Sequence, residues 1–451
     1  MSAPGHLVER IWAHDASVWT GGDEARWLGW LDEPWRMRER VDDLLMFAQA
    51  ALESHDRVVL LGMGGSSLAP EVLKRSFGAE HVHVLDTTHP AAVRALETQL
   101  DLERTLFIAA SKSGSTLETR SHLDLFWQRT GERGEGFAAV TDPGSELERL
   151  AGERGFRATF AGEPTIGGRY SALSAFGLVP AALMGIDLRR LLERAEEMRE
   201  ACRLEEGNPG LELGLALGEG WRGGRDKICL NPTPGGFGLW AEQLLAESTG
   251  KEGKGLVPAP GESPDGSDRQ AAEVRVPDPY ELGQEFYRWE FATAVAGSIL
   301  EINPFDQPNV QEAKDRTAAI LERGEEIRLE SDGSLDELLG GAEPPDYVAI
   351  LAFIDPAREA ELEPLVARAR ETGCVVTTGL GPRYLHSTGQ LHKGGPNSGV
   401  FVQVVDEPGE ELPIPGKEFG FRQLIQAQAA GDYEALKERG RRVARIRLEE
   451  L

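Results

Sequence analysis

The sequence has few cysteines, no long apolar run and more acidic than basic residues. Its three cysteines, Cys202, Cys229 and Cys374, are far apart and lack metal-ligand spacing, which indicates structural thiols in a reducing compartment. No apolar run reaches the roughly 18 residues of a membrane span, and the N-terminus lacks the apolar stretch of a secretory signal. We therefore expect a cytoplasmic protein without membrane contact. The net charge of −27 argues against nucleic acid, whose phosphates need a basic surface.

The sequence does contain an alternation of short β-rich runs and helical stretches. Five runs follow one another from Arg57, namely RVVLLGMGG, HVHVLDTTHP, TLFIAASKSG, FAAVTDPG and FRATFAG. Four more come later, namely DKICLNPT, YVAILAFI, CVVTTGL and VFVQVV. Strands that alternate with helices predict an α/β fold, in which parallel sheets are flanked by helices. Ligands of such sheets bind at the carboxyl ends of the strands.

The same pattern divides the chain into four predicted parts. These are an N-terminal helical segment (1–50), a first α/β subdomain (51–195), a second one (196–418) and a C-terminal helical tail (419–451). Within the second subdomain, the stretch 258–279 is rich in Pro, Gly and Asp and predicts a loop with at most one short strand. The acidic segment near 324–345 predicts a linker or a peripheral insertion.

The segment from Leu106 to Thr119 predicts a strand, a tight loop and a helix. Four hydroxyl residues occupy the loop and the start of the helix, namely Ser111, Ser113, Ser115 and Thr116. A serine-rich turn can simply cap a helix, but one cap needs one hydroxyl. Four hydroxyls beside the free amides of a helix N-terminus favour a phosphate site.

A second glycine-rich loop, Gly62 to Ser67, follows an earlier strand of the same predicted sheet. Its glycines allow the backbone to approach a ligand closely. The loop resembles a dinucleotide fingerprint only superficially, because Ser67 stands where the third glycine would fall. The two loops therefore predict one ligand site at the end of the sheet.

Several charged and amide residues are candidates for chemistry. Arg169 follows two glycines and precedes an apolar helix, so it is either an ordinary surface residue or a charge presented to a developing oxyanion. Glu247 lies near the end of a predicted helix, where the dipole disfavours a carboxylate, and Gln243 shares its face. Gln307 and Lys314 lie on one side of a helix that begins near Pro308.

Taken together, these stretches resemble a known family. GMGGSSLAPEVL, SKSGSTLET, IGGRYSALSAFGL, AEQLLAESTGKEG and INPFDQPNVQEAK resemble, in order, the signature stretches of glucose-6-phosphate isomerases. RYLHSTGQLHKGGPNSGVF and the tail resemble the isomerase half of bifunctional transaldolase/glucose-6-phosphate isomerases, although no transaldolase portion is present. The resemblance implies two sugar-isomerase (SIS) subdomains and commonly a homodimer, and an associated transaldolase stays an open alternative.

The resemblance also implies roles for particular residues. Arg169 matches the arginine that steadies the enediolate, and Glu247 matches the carboxylate that moves a proton between C2 and C1. Gly65 and Ser66 match a turn that contacts the sugar and phosphate. The phosphate loop is implied to comprise Ser111, Lys112, Ser113, Ser115 and Thr116. The pocket is implied to be lined by Gln243, Gln307 and Lys314, the lysine being implicated in ring opening.

The sequence departs from the family at the ring-opening histidine. That residue normally lies between the stretches around Glu247 and Lys314, and no histidine occurs there. His392 is the predicted substitute, because LHKGGPN resembles the HxxGG loop of short bacterial isomerases. His386 is the next candidate. The alternative for each of these histidines is an ordinary surface residue without a function.

The predicted reaction is the interconversion of glucose 6-phosphate and fructose 6-phosphate. One carboxylate base and one fixed cation suffice for it, so no metal and no cofactor are expected. Two alternatives stay open. An isomerase acting on mannose 6-phosphate would use the same loop and base, and a non-catalytic sugar-phosphate sensor would need no base but would carry a binding appendage.

Overall fold

The computed structural model describes residues 4–324 and 327–451, with side chains omitted at positions 4–5 and 310–314. The described part of the N-terminal segment contains three α-helices, α1 (Pro4–Trp12), α2 (Glu33–Arg38) and α3 (Val41–Leu52). Trp30 is buried against Tyr170 and Tyr287, with ring centroids 5.3 and 5.9 Å away. The indole of Trp19 donates to the Ala294 carbonyl at 2.8 Å. These tryptophans therefore pack the segment onto the body of the protein.

The first sheet has five parallel strands. They are β1 (Arg57–Gly62), β2 (Val82–Leu85), β3 (Thr105–Ala110), β4 (Phe137–Thr141) and β5 (Ala158–Ala161), in the spatial order β2-β1-β3-β4-β5. The intervening helices are α4 (Leu68–Phe77), α5 (Pro90–Gln99), α6 (Leu117–Arg129) and α7 (Glu146–Glu153). Alternate residues of β3 enter two different hydrophobic clusters, with Ile108 in one and Phe107 in the other. Both faces of the sheet are therefore covered, as expected for parallel strands.

The strand order brings the two predicted loops together. β1 lies directly beside β3, and Gly62 is paired with Ala110 at the ends of the two strands. The turn that begins at Met63 and the loop that begins at Ser111 consequently leave the sheet at the same edge. This is the carboxyl edge, where ligands of such sheets bind.

The chain then crosses to a small second sheet. The connecting helices are α8 (Ala175–Leu183), α9 (Leu188–Ala201) and α10 (Pro209–Arg222). The sheet consists of β6 (Lys227–Leu230), β7 (Val257–Pro260) and β8 (Arg269–Ala272) in the order β7-β6-β8, with α11 (Phe237–Thr249) between β6 and β7. Two short strands therefore occur where the composition predicted at most one. Their short length explains the error, since so brief a run shows no clear alternation.

The remaining chain builds a third sheet. Three helices precede this sheet in the chain, α12 (Leu282–Leu300), α13 (Pro308–Arg323) and α14 (Leu335–Gly340). The sheet is formed by β9 (Tyr347–Phe353), β10 (Val375–Leu380), β11 (Gly399–Val405) and β12 (Arg442–Arg447), in the order β10-β9-β11-β12. Its helices are α15 (Glu363–Arg370), α16 (Gly389–Gly394) and α17 (Phe421–Glu438). All four strands are parallel.

The prediction of a wholly helical tail at 419–451 is wrong. The tail contains α17, but β12 follows it and pairs with β11 along its whole length. The three arginines of RVARIR gave this segment the charge of a surface helix. The third sheet nevertheless uses it as an edge strand, since charged side chains are common on edges. Across the described ranges, no helix is both long and apolar enough to cross a bilayer.

Candidate active site

Arg169 is the centre of a buried polar cluster. Its side chain is 1% exposed, in a short helical turn (Gly168–Tyr170) before α8. Its Nε donates to Ser248 Oγ at 2.7 Å, and one terminal nitrogen donates to Gln307 Oε1 at 2.9 Å. The other terminal nitrogen donates to the carbonyls of Pro304 and Asp306, at 2.7 and 3.0 Å. The guanidinium is therefore held from three sides.

Glu247 completes the cluster from helix α11. Its Oε1 lies 3.2 Å from the guanidinium of Arg169, and its Oε2 accepts a 2.9 Å hydrogen bond from Gln243 Nε2. The same Gln243 amide donates to the His386 carbonyl at 2.8 Å, while its Oε1 is buried and has no protein partner among the described residues. The structure thus brings Arg169 and Gln307 together with Gln243 and Glu247 of α11, from three separate parts of the sequence.

Glycines allow the loop after β1, Gly62 to Ser67, to pack closely against this cluster. A Cβ on Gly65 would lie 2.0 Å from the Gly168 carbonyl oxygen, so no larger residue fits there. Gly64 has a φ of +53°, and a Cβ on it would lie 2.7 Å from the His386 carbonyl oxygen. Ser66 is buried in the same turn. The loop after β1 therefore forms a wall of the cluster.

The loop after β3, Ser111 to Thr116, is more exposed to solvent, and we name it the hydroxyl loop. Ser111 and Thr116 share a 2.9 Å hydroxyl hydrogen bond, and the exposed Ser113 and Ser115 share one of 3.0 Å. Thr116 stands at the N-cap of α6, but its side chain makes no capping hydrogen bond. The first amides of α6 and these hydroxyls are therefore available for an anion.

Lys112 is not aimed at the loop's hydroxyls. Its ammonium pairs with Asp142 and donates to the Glu163 carbonyl at 3.1 Å. Burial raises the pKa of the Asp142 carboxyl, and the nearby ammonium opposes that rise. Lys112 consequently supplies positive charge beside the loop while it ties the loop to the end of β4.

The prediction that His392 belongs to the site is not supported. Its ring is packed among the rings of Phe401, Tyr384 and Tyr347, at centroid distances of 5.2, 6.0 and 6.4 Å. Burial holds the pKa of His392 well below its ordinary value, and Nδ1 has no hydrogen-bond partner among the described residues. His392 thus has the environment of a side chain packed in the hydrophobic core. Sequence spacing could not show it, because the aromatic neighbours come from other elements.

The structure places His386 beside the cluster instead. Its carbonyl accepts the hydrogen bond from Gln243, and its Nε2 lies 2.9 Å from Glu118 Oε1. Gln428 donates to the same Glu118 oxygen at 2.7 Å. Glu118 was missed by the sequence analysis, although it follows the hydroxyl loop by two residues. The side chain of Lys314 lies outside the described residues.

Lys251 is a second residue that the sequence analysis missed. It is 2% exposed, four residues after Glu247, and its ammonium donates to the carbonyls of Asn303 and Asp306, each at 2.7 Å. It also pairs with the Asp306 carboxylate. The sequence signal that points to Lys251 is its position in AEQLLAESTGKEG, a stretch that resembles the family.

The fold and the site together define an α/β protein in which a loop of hydroxyls and uncapped helix amides lies beside a buried carboxylate and guanidinium. Two solved structures share the fold. A hypothetical protein of Thermus thermophilus aligns with 98% of this chain and 83% of its own, at 23% identity and a TM-score of 0.50. A glucose-6-phosphate isomerase of Chlamydia trachomatis aligns with 71% of this chain and 78% of its own, at 19% identity and a TM-score of 0.54. At these identities the likeness concerns the fold alone.

Sequence comparison is more specific. Residues 38–217 match the family model of phosphoglucose isomerase. Glucose-6-phosphate isomerases of Trichormus variabilis and Acaryochloris marina are 37% and 38% identical to this chain over 213 residues, or 43% of this chain and 40% of each relative. The aligned part thus spans two fifths of these relatives' length. Over residues 38–217, which contain both loops and Arg169, the resemblance to the family is confirmed.

Proposed function

We propose that the protein interconverts glucose 6-phosphate and fructose 6-phosphate, with Glu247 as the base. The observation that carries this proposal is the buried contact between Glu247 and Arg169, at 3.2 Å, behind two loops suited to a phosphorylated ligand. A sugar-phosphate sensor needs the loops alone. A buried carboxylate next to a fixed cation is, in contrast, what proton transfer adjacent to a carbonyl requires.

The proposed reaction uses the site in a fixed order. The hydroxyl loop and the amides of α6 hold the phosphate, and this binding energy orients the sugar carbons. Glu247 removes the proton from C2 and returns it to C1, which contributes roughly 10²- to 10⁴-fold to the rate. The intermediate carries negative charge on oxygen. Arg169 stabilises that charge without reorganising, because its hydrogen bonds already hold it in place.

Opening of the sugar ring requires a second proton-transfer group, and we assign it to His386. Its Nε2 is oriented by Glu118, and Glu118 is itself held by Gln428. A carboxylate bonded to one ring nitrogen fixes the orientation and the tautomer of an imidazole. His386 thus takes the place that the sequence analysis gave to His392.

The test is fructose 6-phosphate turnover, coupled to glucose-6-phosphate dehydrogenase, in the parent and in Glu247→Gln. This substitution keeps the shape and removes the base, so we expect turnover to fall by about 10³-fold. Glu242→Gln is the matched control. Glu242 is on the same helix, burial raises its pKa to about 8, and its charged neighbour is Arg383 rather than Arg169.

We expect Glu242→Gln to keep the parent rate within about threefold. Equal turnover in the parent and in Glu247→Gln would remove Glu247 as the base. A parent that binds fructose 6-phosphate without turning it over would favour the sensor. Parallel assays with mannose 6-phosphate show whether the second hexose is also accepted.

The assembly and location of the protein are also proposals. We propose a cytoplasmic homodimer, on the strength of the family resemblance. Sedimentation of the purified protein, alone and mixed with a transaldolase, measures both the self-association and the association with that enzyme. A single species with the mass of one chain at micromolar concentration would contradict the homodimer.

A further inference from the structure

Lys251 is buried where helix α11 ends, and it is fastened to a distant turn. Its ammonium donates to the carbonyls of Asn303 and Asp306 and pairs with the Asp306 carboxylate. A buried ammonium is costly unless hydrogen bonds and an opposite charge surround it. Among the described residues, the partners of this ammonium all belong to one short segment, residues 303–307, which we name the NPFDQ turn.

Arg169 binds the same turn from the other side. It donates to the carbonyls of Pro304 and Asp306 and to the side chain of Gln307. The Asp306 carbonyl is therefore shared by the two cations, at 2.7 Å from Lys251 and 3.0 Å from Arg169. The turn is further anchored by Phe305, whose ring is buried against Trp19 and Tyr170.

We propose that Lys251 is a positioning residue for the isomerisation: its ammonium fixes the NPFDQ turn so that Arg169 and Gln307 keep their places beside Glu247. This inference rests on the proposed function. Without the ammonium, the carbonyls of Asn303 and Asp306 lose their buried donor, and Arg169 is left as the remaining cation on the turn. The guanidinium would then move toward the turn and away from the reacting oxygens. A displacement of about 1 Å can cost about 10²-fold in rate.

The charge of Lys251 gives the inference a signature in pH. Burial, with a contribution from Arg169, lowers the pKa of Lys251 to about 8, and the charges of Asp306 and Glu247 oppose the shift. Raising the pH through about 8 therefore removes the ammonium and its hold on the turn. We therefore expect kcat of the parent to fall as the pH rises through about 8, and we call this fall the alkaline limb of its pH profile.

The experiment compares Lys251→Met with Lys254→Met in the full chain. Lys254 is a matched control, because it lies in the same tight turn and its ammonium also caps carbonyls, those of Leu300 and Glu301 at 2.8 and 3.4 Å. Those carbonyls precede the NPFDQ turn. We expect Lys251→Met to lose about 10²-fold in kcat with little change in KM, and Lys254→Met to stay within about threefold.

A third variant, Lys251→Arg, keeps the charge to a much higher pH. We expect it to recover much of kcat and to move the alkaline limb upward. A Lys251→Met enzyme whose kcat matches that of the parent, or an equal loss in Lys254→Met, overturns the positioning role. If Lys251→Met does not fold, an alkaline limb that is unchanged in Lys251→Arg overturns it. A parent without turnover contradicts the proposed function itself, a separate result.

Discussion

The hydroxyl loop and the Arg169 cluster lie at neighbouring places in the fold but differ in how their polar groups are satisfied. In the loop, the hydroxyls of Ser113 and Ser115 are exposed and bond mainly to one another. In the cluster, the guanidinium of Arg169 is buried and bonded to protein groups on three sides. One region is open to a ligand, and the other is assembled before a ligand arrives.

Under the proposed function, this difference assigns binding to the loop and chemistry to the cluster. A hydroxyl pair can exchange its internal hydrogen bond for one to a phosphate at little cost, since both bonds are of ordinary strength. A buried guanidinium that is already oriented stabilises developing charge without having to move. We therefore expect substitutions in the loop to change KM, and substitutions in the cluster to change kcat. Four predictions test this division, in order of decreasing effect.

The largest effect is expected for Arg169→Met. It removes the fixed cation and leaves the buried Glu247 without its cationic partner, so kcat should fall by about 10³-fold and the free energy of unfolding by about 3–5 kcal/mol. Turnover and chemical denaturation measure the two effects. Arg288→Met is the control, because Arg288 is also buried and pairs with Glu285 at 2.7 Å, far along the chain in α12.

The control should lose comparable stability but keep kcat under conditions where it remains folded. Equal losses of kcat in both variants would show that the Arg169 effect is structural, and the division between the two regions would then fail.

The two histidines should give the next largest effect. We expect His386→Phe to lower turnover of closed-ring glucose 6-phosphate by about 10²-fold, because it removes the proposed proton-transfer group. His392→Phe keeps a ring among the aromatic neighbours of His392 and should change turnover by less than about threefold. Steady-state rates for both variants decide the matter. The opposite ranking would restore the sequence-based assignment of His392.

A smaller effect, on KM alone, is expected in the hydroxyl loop. Ser111→Ala removes one member of the hydroxyl pair with Thr116, and a lost hydrogen bond to a charged phosphate costs about tenfold in KM. Ser145→Ala is the control, since Ser145 follows the neighbouring strand β4 and shares a 2.7 Å hydroxyl hydrogen bond with Thr141, the last residue of that strand. The control should lower stability through its cap on α7 and leave KM unchanged. A fall in kcat for Ser111→Ala would contradict the division.

The smallest effect on activity is expected for Glu290→Gln, which concerns a buried carboxyl outside the cluster. Burial raises the pKa of Glu290 well above its ordinary value, and Oε1 has no hydrogen-bond partner among the described residues. The folded protein therefore binds this proton more tightly than the unfolded chain does. Stability contributed by the protonated group is present at low pH and is lost as the pH rises through its folded-state pKa.

Thermal unfolding between about pH 5 and pH 8 measures this dependence. Glu290→Gln mimics the protonated acid, so its stability should fall less with rising pH than that of the parent, with turnover unchanged. Glu193→Gln removes an exposed carboxylate and should keep the parent's dependence. Identical pH dependence in the parent and in Glu290→Gln would mean that Glu290 has access to partners or water in solution.

Local pattern was sufficient for most of the fold. The five runs from Arg57 became β1 to β5, because apolar, β-branched runs between glycines and helical stretches need no distant information to be recognised as strands. The structure brings together Arg169, Gln243, Glu247 and Gln307, which are four of the residues that the family resemblance implies for the site. Local pattern failed for β12, because three of its six residues are arginines and its partner β11 lies on the far side of helix α17 in the chain.

The sequence by itself determined the strands, the two loops and the identity of the residues suited to acid-base chemistry, since these depend on neighbouring residues. Only the tertiary structure decided which histidine lies beside the Arg169 cluster. It also decided that Lys251 and Arg169 both bind the Asp306 carbonyl. Arg169 and Gln307 are 138 residues apart, and their contact depends on how whole elements pack. Burial then sets which groups keep a proton. It holds the pKa of His392 well below its ordinary value in an aromatic core, and it lowers the pKa of Lys251 to about 8. Those environments arise from contacts between distant segments, which spacing along the chain does not encode.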